Sequence, residues 1–456
     1  MSQVTSQIDT GRLRERINGR IIEPRDADYD AVRGVFIGGV DARPRLIVRV
    51  ANSADIAHAT AFARESGLEL AVRSGGHSGS AHSTSDGGIV IDLRDMKALE
   101  IDVARKTAWA ETGLTAAEYT TAAAAHGLAT GFGDTGSVGI GGITLGGGIG
   151  YLVRKYGMTI DDLLAADVVT ADGTVRRVDA DHEPDLFWAI RGGGGNFGVA
   201  TRFQFRLHDV PTIVGGMLML PATADVIERF VRLSEEAPEE LTTIGNVMVA
   251  PPMPFVPAEH HGKLAMMALL CYAGDVAAGQ QAIAPFRALA TPIVDMVKPG
   301  VYPEMYPPED PSYHPIAAGR TLLTDVVDRA AAEAILAHLN ASRAYLRVAQ
   351  LRVLGGAMAR IPQEATAYAH RRRRILINTA ALYTEAVDKA EHEAWVERFA
   401  SALQRGPVGR YVNFLVDETR VRDAYPTRTW ERLAAIKRRY DPDNVFHRNH
   451  NIAPAN

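Results

Sequence analysis

The chain reads as an α+β protein built from more than one domain. Three observations predict this. Short apolar strand-like runs are joined both by helical patterns and by tight hairpin turns, a mixture that a regular doubly wound sheet does not show. The 456 residues, 46% of them hydrophobic, are too many for one core. The texture also changes near Pro211, from glycine-rich to richer in Met and Pro. The expected units are an N-terminal lead-in over 1–39, a first domain over 40–212, a second over 213–410 and a C-terminal segment over 411–456.

The elements follow in order. SADIAHATAFARES reads as a helix with Ser53 as its N-cap and Gly67 at its end. LELAVR is a strand that runs straight into SGGHSGS. IVIDL, 89–93, is a short apolar run bounded by Gly88 and a charged turn, so it reads as a buried strand. Thr115 and Glu118 form a capping box that opens an alanine-rich helix stopping at Gly127. Asp172 and Gly173 lie between two strand-like runs and signal a hairpin. A short helix over 184–191 carries Trp188 on its apolar side. Beyond Pro211, strands over 345–356 and 374–384 and helices over 327–342 and 388–405 suit a second α+β layer. The loop 297–315 is long enough to be functional, as an entrance lid. The last element is an amphipathic helix over 427–440.

Composition excludes several classes. A formal net charge of −5 gives no basic bias of the kind nucleic-acid binders show. The run Arg371, Arg372, Arg373, Arg374 is short and reads as a solvated face or a few salt bridges. The N-terminal stretch has no apolar core of a secretory signal, and no run is long enough to cross a bilayer. The single cysteine, Cys271, lies in apolar LLCYAG and reads as a small core residue. One cysteine permits no intrachain disulfide, which fits a reducing compartment. A soluble, cytoplasmic protein with small-molecule partners, and with neither nucleic acid nor membrane as partner, is expected. The pairs His447 and His450, and His260 and His261, lack a carboxylate or cysteine set with zinc spacing, so no metal site is expected.

Ten of the twenty residues over 131–150 are glycine. Such density implies special backbone angles or close approach of main chain to something. Amide groups without Cβ atoms can cradle an anion such as a dinucleotide pyrophosphate, while the plainer reading is a set of tight turns. Two GxGxxG matches begin at Gly131 and Gly193. The first follows a predicted helix and the second follows the 184–191 helix, so neither has the strand, turn, helix order of an NAD-type site.

Taken in order, these pieces form a set. Arg73, Ser74, Gly75, Gly76 and His77 precede a strand ending in IDL. The glycine-rich stretch follows, then Arg154 to Gly157, then Arg191 and Gly192 through Asn196, Phe197, Gly198 and Val199. Tyr411, Asn413 and the run from Asp441 to Phe446 close the chain. The chain resembles the berberine bridge enzyme-like branch of the vanillyl-alcohol oxidase flavoproteins, whose bacterial members include 6-hydroxynicotine oxidase-like proteins. The likeness runs from about residue 40 to the end and is weakest in the middle.

The resemblance implies a PCMH-type, two-part FAD-binding domain made from the first half plus the returning C-terminal segment. It also implies a substrate domain with an antiparallel sheet backed by helices. It implies FAD held by one covalent link, from His77 to the 8α-methyl carbon. A neutral imidazole is a competent nucleophile near pH 7. The second attachment site of many relatives, a cysteine, is Thr135 here. The cofactor contacts implied are Arg73, Ser74, Gly75, Gly76, Ser78, Gly79, Asp134, Thr135, Gly136, Val138, Gly139, Gly141, Gly142, Gly146, Gly148, Gly150, Gly198, Val199, Asn449 and Asn451. Val138, small where relatives with Leu block oxygen, implies dioxygen access and hence an oxidase.

Tyr411 and Asn413 stand two apart in YVNFLV, a strand-like run whose period puts both on one face. In relatives the matching tyrosine is a base or positions the substrate, and the alternative is a buried core aromatic. A free tyrosine has a pKa of about 10, so a base role needs cations or hydrogen bonds on its phenolate. Asn378 and Tyr383 are expected on the substrate face. The reaction implied is hydride transfer from a C–OH or C–N bond to flavin N5, with dioxygen as acceptor and hydrogen peroxide as product, in a monomer or homodimer. The rivals are a dehydrogenase of the same fold, a deazaflavin in the same cradle, and a catalytically silent flavin binder.

Overall fold

The computed structural model describes residues 10–456, and of Ala386 only the backbone; residues 1–9 lie outside the described residues. The first half contains two sheets. One has the order Arg20–Ile22, Leu46–Arg49, Ile89–Asp92, Leu70–Arg73. Its last three strands are parallel. LIVR, IVID and LAVR are near-continuous apolar runs because parallel strands are covered on both faces. The crossover is the helix Ser53–Ser66, which buries Ile56, Ala59 and Ala63 against them. Its N-cap is Asn52 rather than Ser53, since the Asn52 side chain accepts the Asp55 amide at 3.1 Å from an extended backbone. From residue 10 onward the lead-in packs on this sheet: Leu13, Ile21 and Ile22 are buried and Arg20–Ile22 is an edge strand.

The second sheet is antiparallel, in the order Leu99–Asp102, Thr107–Glu111, Val199–Arg206, Leu163–Val169, Val175–Asp179. Gly173, at φ +79°, turns the hairpin where Asp172 and Gly173 signalled it. The capping box at Thr115 and Glu118 is formed, although the helix Ala116–Ala124 ends before Gly127. The helix Thr427–Tyr440 buries Leu433, Ala434, Ile436 and Tyr440 in one cluster with Leu186, Phe187 and Trp188. The C-terminal segment thereby returns to the first half. The first GxGxxG follows the two-residue strand Leu128–Ala129, paired antiparallel with His208–Asp209, rather than a helix. The second lies between the helix Pro184–Ala189 and the strand Val199–Arg206.

The second half is built on one antiparallel sheet. Its order is Val294–Asp295, Ile213–Pro221, Leu264–Ala273, Leu241–Val249, Leu346–Val353, Ile375–Tyr383, Ile316–Thr324. Helices Ala224–Glu236, Val276–Arg287, Arg329–Ala341 and Lys389–Leu403 cover one face and share its core. Period two assigns Ile375, Ile377, Ala381 and Tyr383 to that core, while Leu376 packs with Tyr411 on the other side. Asn378 therefore faces the first half and Tyr383 does not. Tyr383 is buried against the helices, its ring 4.6 Å from that of His392, so it is a core residue rather than a substrate contact. In the basic run 371–374, Arg371 pairs with buried Asp161, Arg373 with Asp325 and Arg374 with Glu235, while Arg372 and Arg374 are exposed.

Candidate active site

The strand Leu70–Arg73 delivers the loop 74–79 to the seam between the two halves. Arg73 does not serve that loop as a free cation. It is fully buried, and its guanidinium donates to the carbonyls of Ser83, Val32 and Arg33 at 3.0, 2.6 and 3.1 Å. Burial lowers its pKa to about 10, against the pull of Asp92. Arg73 thus ties down the loop's root, which corrects its expected place among the cofactor contacts. Beyond it, the amides of Gly75, Gly76, His77, Ser78 and Gly79 meet no acceptor among the described residues. Five successive donors of this kind make a cradle for an anion.

The glycine-rich stretch packs against this loop backbone to backbone. A Cβ on Gly75 would stand 2.1 Å from the Gly139 amide nitrogen, and one on Gly139 would stand 2.2 Å from that of Gly75. The Ser74 hydroxyl donates to the Thr112 carbonyl at 2.5 Å and accepts the Gly141 amide at 3.2 Å. Gly146 makes room for Asn413, whose Oδ1 would lie 1.8 Å from an added Cβ. Gly148 and Gly150 are occupied in the same way by Thr159 and Phe132. Most of these glycines are required by the protein's own packing. Gly142 differs, being exposed with nothing within 4 Å of a Cβ. Gly198 and Val199 lie buried where the strand Val199–Arg206 begins, Val199 in an apolar cluster with Val169 and Phe446. Thr135 and Val138 are half-buried, Val138 at the Gly75–Gly139 crossing.

Tyr411 and Asn413 meet by a route other than the expected strand, since Val412–Phe414 is a single 3-10 turn. The Asn413 amide donates to the Tyr411 hydroxyl at 2.9 Å and to the Ile143 carbonyl at 3.0 Å. The Gly148 amide donates to the same hydroxyl at 2.9 Å. Burial raises the pKa of this phenol above 10, against the opposing pull of Asn413, Gly148 and Arg352. Its ring is 1% exposed and packs with Met158, Leu323, Leu376 and Tyr368.

His77 stacks on Phe36, with centroids 4.1 Å apart and planes 18° apart. Its Nε2 lies 2.9 Å from Ser137 Oγ. Burial pushes its pKa down to about 4, so the imidazole is neutral at pH 7. The loop 297–315 is not a free lid. Tyr302, Met305 and Tyr306 are buried beneath the glycine stretch, Tyr306 donating to the Gly133 carbonyl at 3.1 Å, and Glu309 accepts the Gly136 and Ser137 amides at 2.9 and 3.1 Å.

Sequence reasoning passed over several residues at this seam. Arg352, 3% exposed, pairs with Asp134 at 2.6 Å and donates to the Ile149 carbonyl at 3.1 Å, joining the substrate-side sheet to the glycine stretch. Gln350 donates to Asn246 at 3.0 Å and stands opposite Asn378 in register. These lie in the weakly matched middle of the chain, where alternation along the strand Leu346–Val353 was the one available signal. Buried Asn196 donates to the carbonyls of Gly193 and His450 and accepts the Ile452 amide, which fixes the tail. In that tail the Oδ1 atoms of Asn449 and Asn451 are buried without a partner among the described residues. An unpaired buried acceptor costs roughly 1–3 kcal/mol, so two of them in one tail are suited to donors of a bound molecule. The amide cradle and these acceptors fit a dinucleotide.

Comparison with known proteins bears on this geometry. A family described as FAD binding domain matches residues 44–179, and one described as berberine and berberine-like matches residues 410–453. The chain is 30% identical to (R)-6-hydroxynicotine oxidase of Paenarthrobacter nicotinovorans over 96% of its own length and 97% of that protein's. A crystal structure of 6-hydroxy-D-nicotine oxidase from Arthrobacter nicotinovorans superposes with a TM-score of 0.85 at 28% identity, covering 96% of this chain and 98% of that one. Xylooligosaccharide oxidase of Thermothelomyces thermophilus is 27% identical over 90% of this chain and 88% of that protein.

Proposed function

The chain belongs to the berberine bridge enzyme-like, PCMH-type FAD-linked oxidoreductases, a family of FAD-dependent oxidases that act on small-molecule C–OH and C–N bonds with dioxygen as acceptor, and within that family we propose that this protein carries its FAD covalently on His77. The observation that carries the proposal is the loop 74–79. It presents a neutral imidazole beside five successive unpartnered amides, so nucleophile and phosphate cradle share one loop. The link is single. Thr135 offers no thiol, and Cys271 is fully buried in an apolar cluster with its thiol pushed up to about 12.

Bound FAD supplies the two-electron acceptor for hydride. The protein supplies the rest. The cradle and the Asn449 and Asn451 acceptors hold and orient the dinucleotide. Asn378, Gln350 and Asn246 form a polar row on the substrate side of the large sheet. Tyr411 takes the substrate's hydroxyl or amine proton as hydride leaves. Before it takes that proton Tyr411 is the phenolate, which its Asn413 and Gly148 donors stabilise and to which Arg352 supplies a positive charge. Val138 leaves a path for dioxygen. A monomer or homodimer in the cytoplasm completes the reading; among the described residues no helix is long and apolar enough to cross a membrane.

Acid precipitation of the purified protein tests the attachment. A yellow pellet and a flavin-fluorescent denatured band are expected, both lost in His77→Ala. Yellow supernatant over a dark band from the wild type would leave the fold and remove His77 from the chemistry. A flavin peptide carrying two crosslinks would overturn the single link.

A further inference from the structure

His77 is held by Ser137, which is itself held by Glu309, and the hydride transfer uses neither. Ser137 Oγ lies 2.9 Å from Nε2. The same hydroxyl meets Glu309 Oε2, and the other oxygen of that carboxylate accepts the backbone amides of Gly136 and Ser137 at 2.9 and 3.1 Å. An ionised carboxylate can only accept, so Ser137 donates its proton to Glu309. Its oxygen is then left to accept from His77, and Nε2 must carry the ring proton. Nδ1 has no partner among the described residues and keeps its lone pair. Phe36, stacked on the ring face, prevents the imidazole from tilting out of this alignment.

We propose that Ser137 and Glu309 are positioning residues for flavin attachment, holding His77 in the tautomer whose Nδ1 is nucleophilic and drawing off the Nε2 proton as the new bond forms. This rests on the reading of His77 as the attachment site. In the step, a bond forms between Nδ1 and the 8α carbon of FAD, and one C–H bond of that methyl group breaks. The hydrogen leaves as a proton and its electron pair stays on the flavin, which is reduced by two electrons. The ring becomes cationic as Nδ1 is alkylated. Nε2 then releases its proton to Ser137, which passes its own to Glu309. Glu309 is exposed and returns it to solvent. Dioxygen, the acceptor of the family reaction, removes the electron pair. It takes up two protons to leave as hydrogen peroxide, matching the two released.

The competing explanation is that Glu309 and Ser137 merely staple the 297–315 loop to the glycine stretch. A staple alters stability and FAD affinity but not the rate at which bound flavin becomes covalent. Apoprotein made under riboflavin limitation is therefore mixed with saturating FAD, quenched in acid over time, and read by in-gel flavin fluorescence. Ser137→Ala and Glu309→Gln should bind FAD yet attach it at least about tenfold more slowly, a modest share of what general acid–base groups contribute. Ser137→Thr, which keeps the hydroxyl, should recover most of the rate. Attachment by both loss variants at the wild-type rate would overturn the role of Ser137 and Glu309 alone. A wild type that binds FAD and never attaches it would overturn the His77 reading, and this inference with it.

Discussion

The loop 74–79 and the strand Ile375–Tyr383 both carry residues that stood out in the sequence, and they behave in opposite ways. In the loop, residues adjacent in the chain stay together in the candidate site, because what they offer is a run of backbone amides and one imidazole. In the strand, Asn378 and Tyr383 stand an odd number of positions apart, so one points to the seam and the other into the helix-covered core. A motif read from contiguous residues survives folding when its function is backbone-borne. A pair chosen from side-chain type alone survives only when the register agrees.

The sharpest test of that contrast is Tyr411, which contributes a side chain rather than backbone to the site. Tyr411→Phe should slow anaerobic flavin reduction by roughly 10²–10³-fold while leaving flavin attachment intact. In the wild type the accompanying limb of the pH profile should lie above pH 10, rising with pH, because burial disfavours the phenolate. Reduction at an unchanged rate would return Tyr411 to a packing role.

The two faces of the strand are separated by a paired substitution. Tyr383→Ala should cost about 3 kcal/mol in denaturant unfolding and leave KM for any accepted substrate unchanged, as for a buried aromatic. Asn378→Ala should do the reverse, raising KM by up to about tenfold, equivalent to roughly 1.4 kcal/mol, with little change in stability. Exchange of these two outcomes would mean that the strand's faces are assigned wrongly.

Within the glycine stretch the same logic separates two kinds of glycine. Gly146→Ala drives a methyl group into Asn413, and should cost about 1–3 kcal/mol of stability. Gly142→Ala meets open space within the helix Ile140–Gly146 and should leave the apoprotein's unfolding midpoint unchanged or slightly raised. Equal effects at both positions would break the distinction.

The smallest effect expected is on pH. Burial pushes His450 down to about 3, and it also lowers His82 and His370 below the usual 6.5. The unfolded chain therefore binds more protons than the folded one below about pH 6.5, and stability falls as the pH drops from there toward 4. Urea titrations across that window should show the decline, shallower in His450→Phe. A flat profile would mean these imidazoles are protonated in the folded protein.

Much of the frame was open to sequence reasoning because its causes are local. The capping box at Thr115, the turn at Gly173 and the apolar runs of the parallel strands each depend on neighbours in the chain. The 3-10 turn at Val412–Phe414 was not legible, because alternation in YVNFLV suits a strand and only the docking of Asn413 into the gap at Gly146 decides otherwise.

The sequence by itself determined that this chain is α+β with strands joined both by helices and by hairpins, that a histidine stands in a glycine-flanked loop, and that its family is that of FAD-linked oxidoreductases. Tertiary structure alone decided that Arg73 turns inward, that Glu309 meets His77 only through Ser137, and that Arg352 joins the two halves through Asp134. The physical reason is range. Backbone conformation and strand burial follow from a few consecutive residues, whereas the partner of a buried charge or a ring nitrogen is chosen by whichever distant segment the packing brings within hydrogen-bond reach.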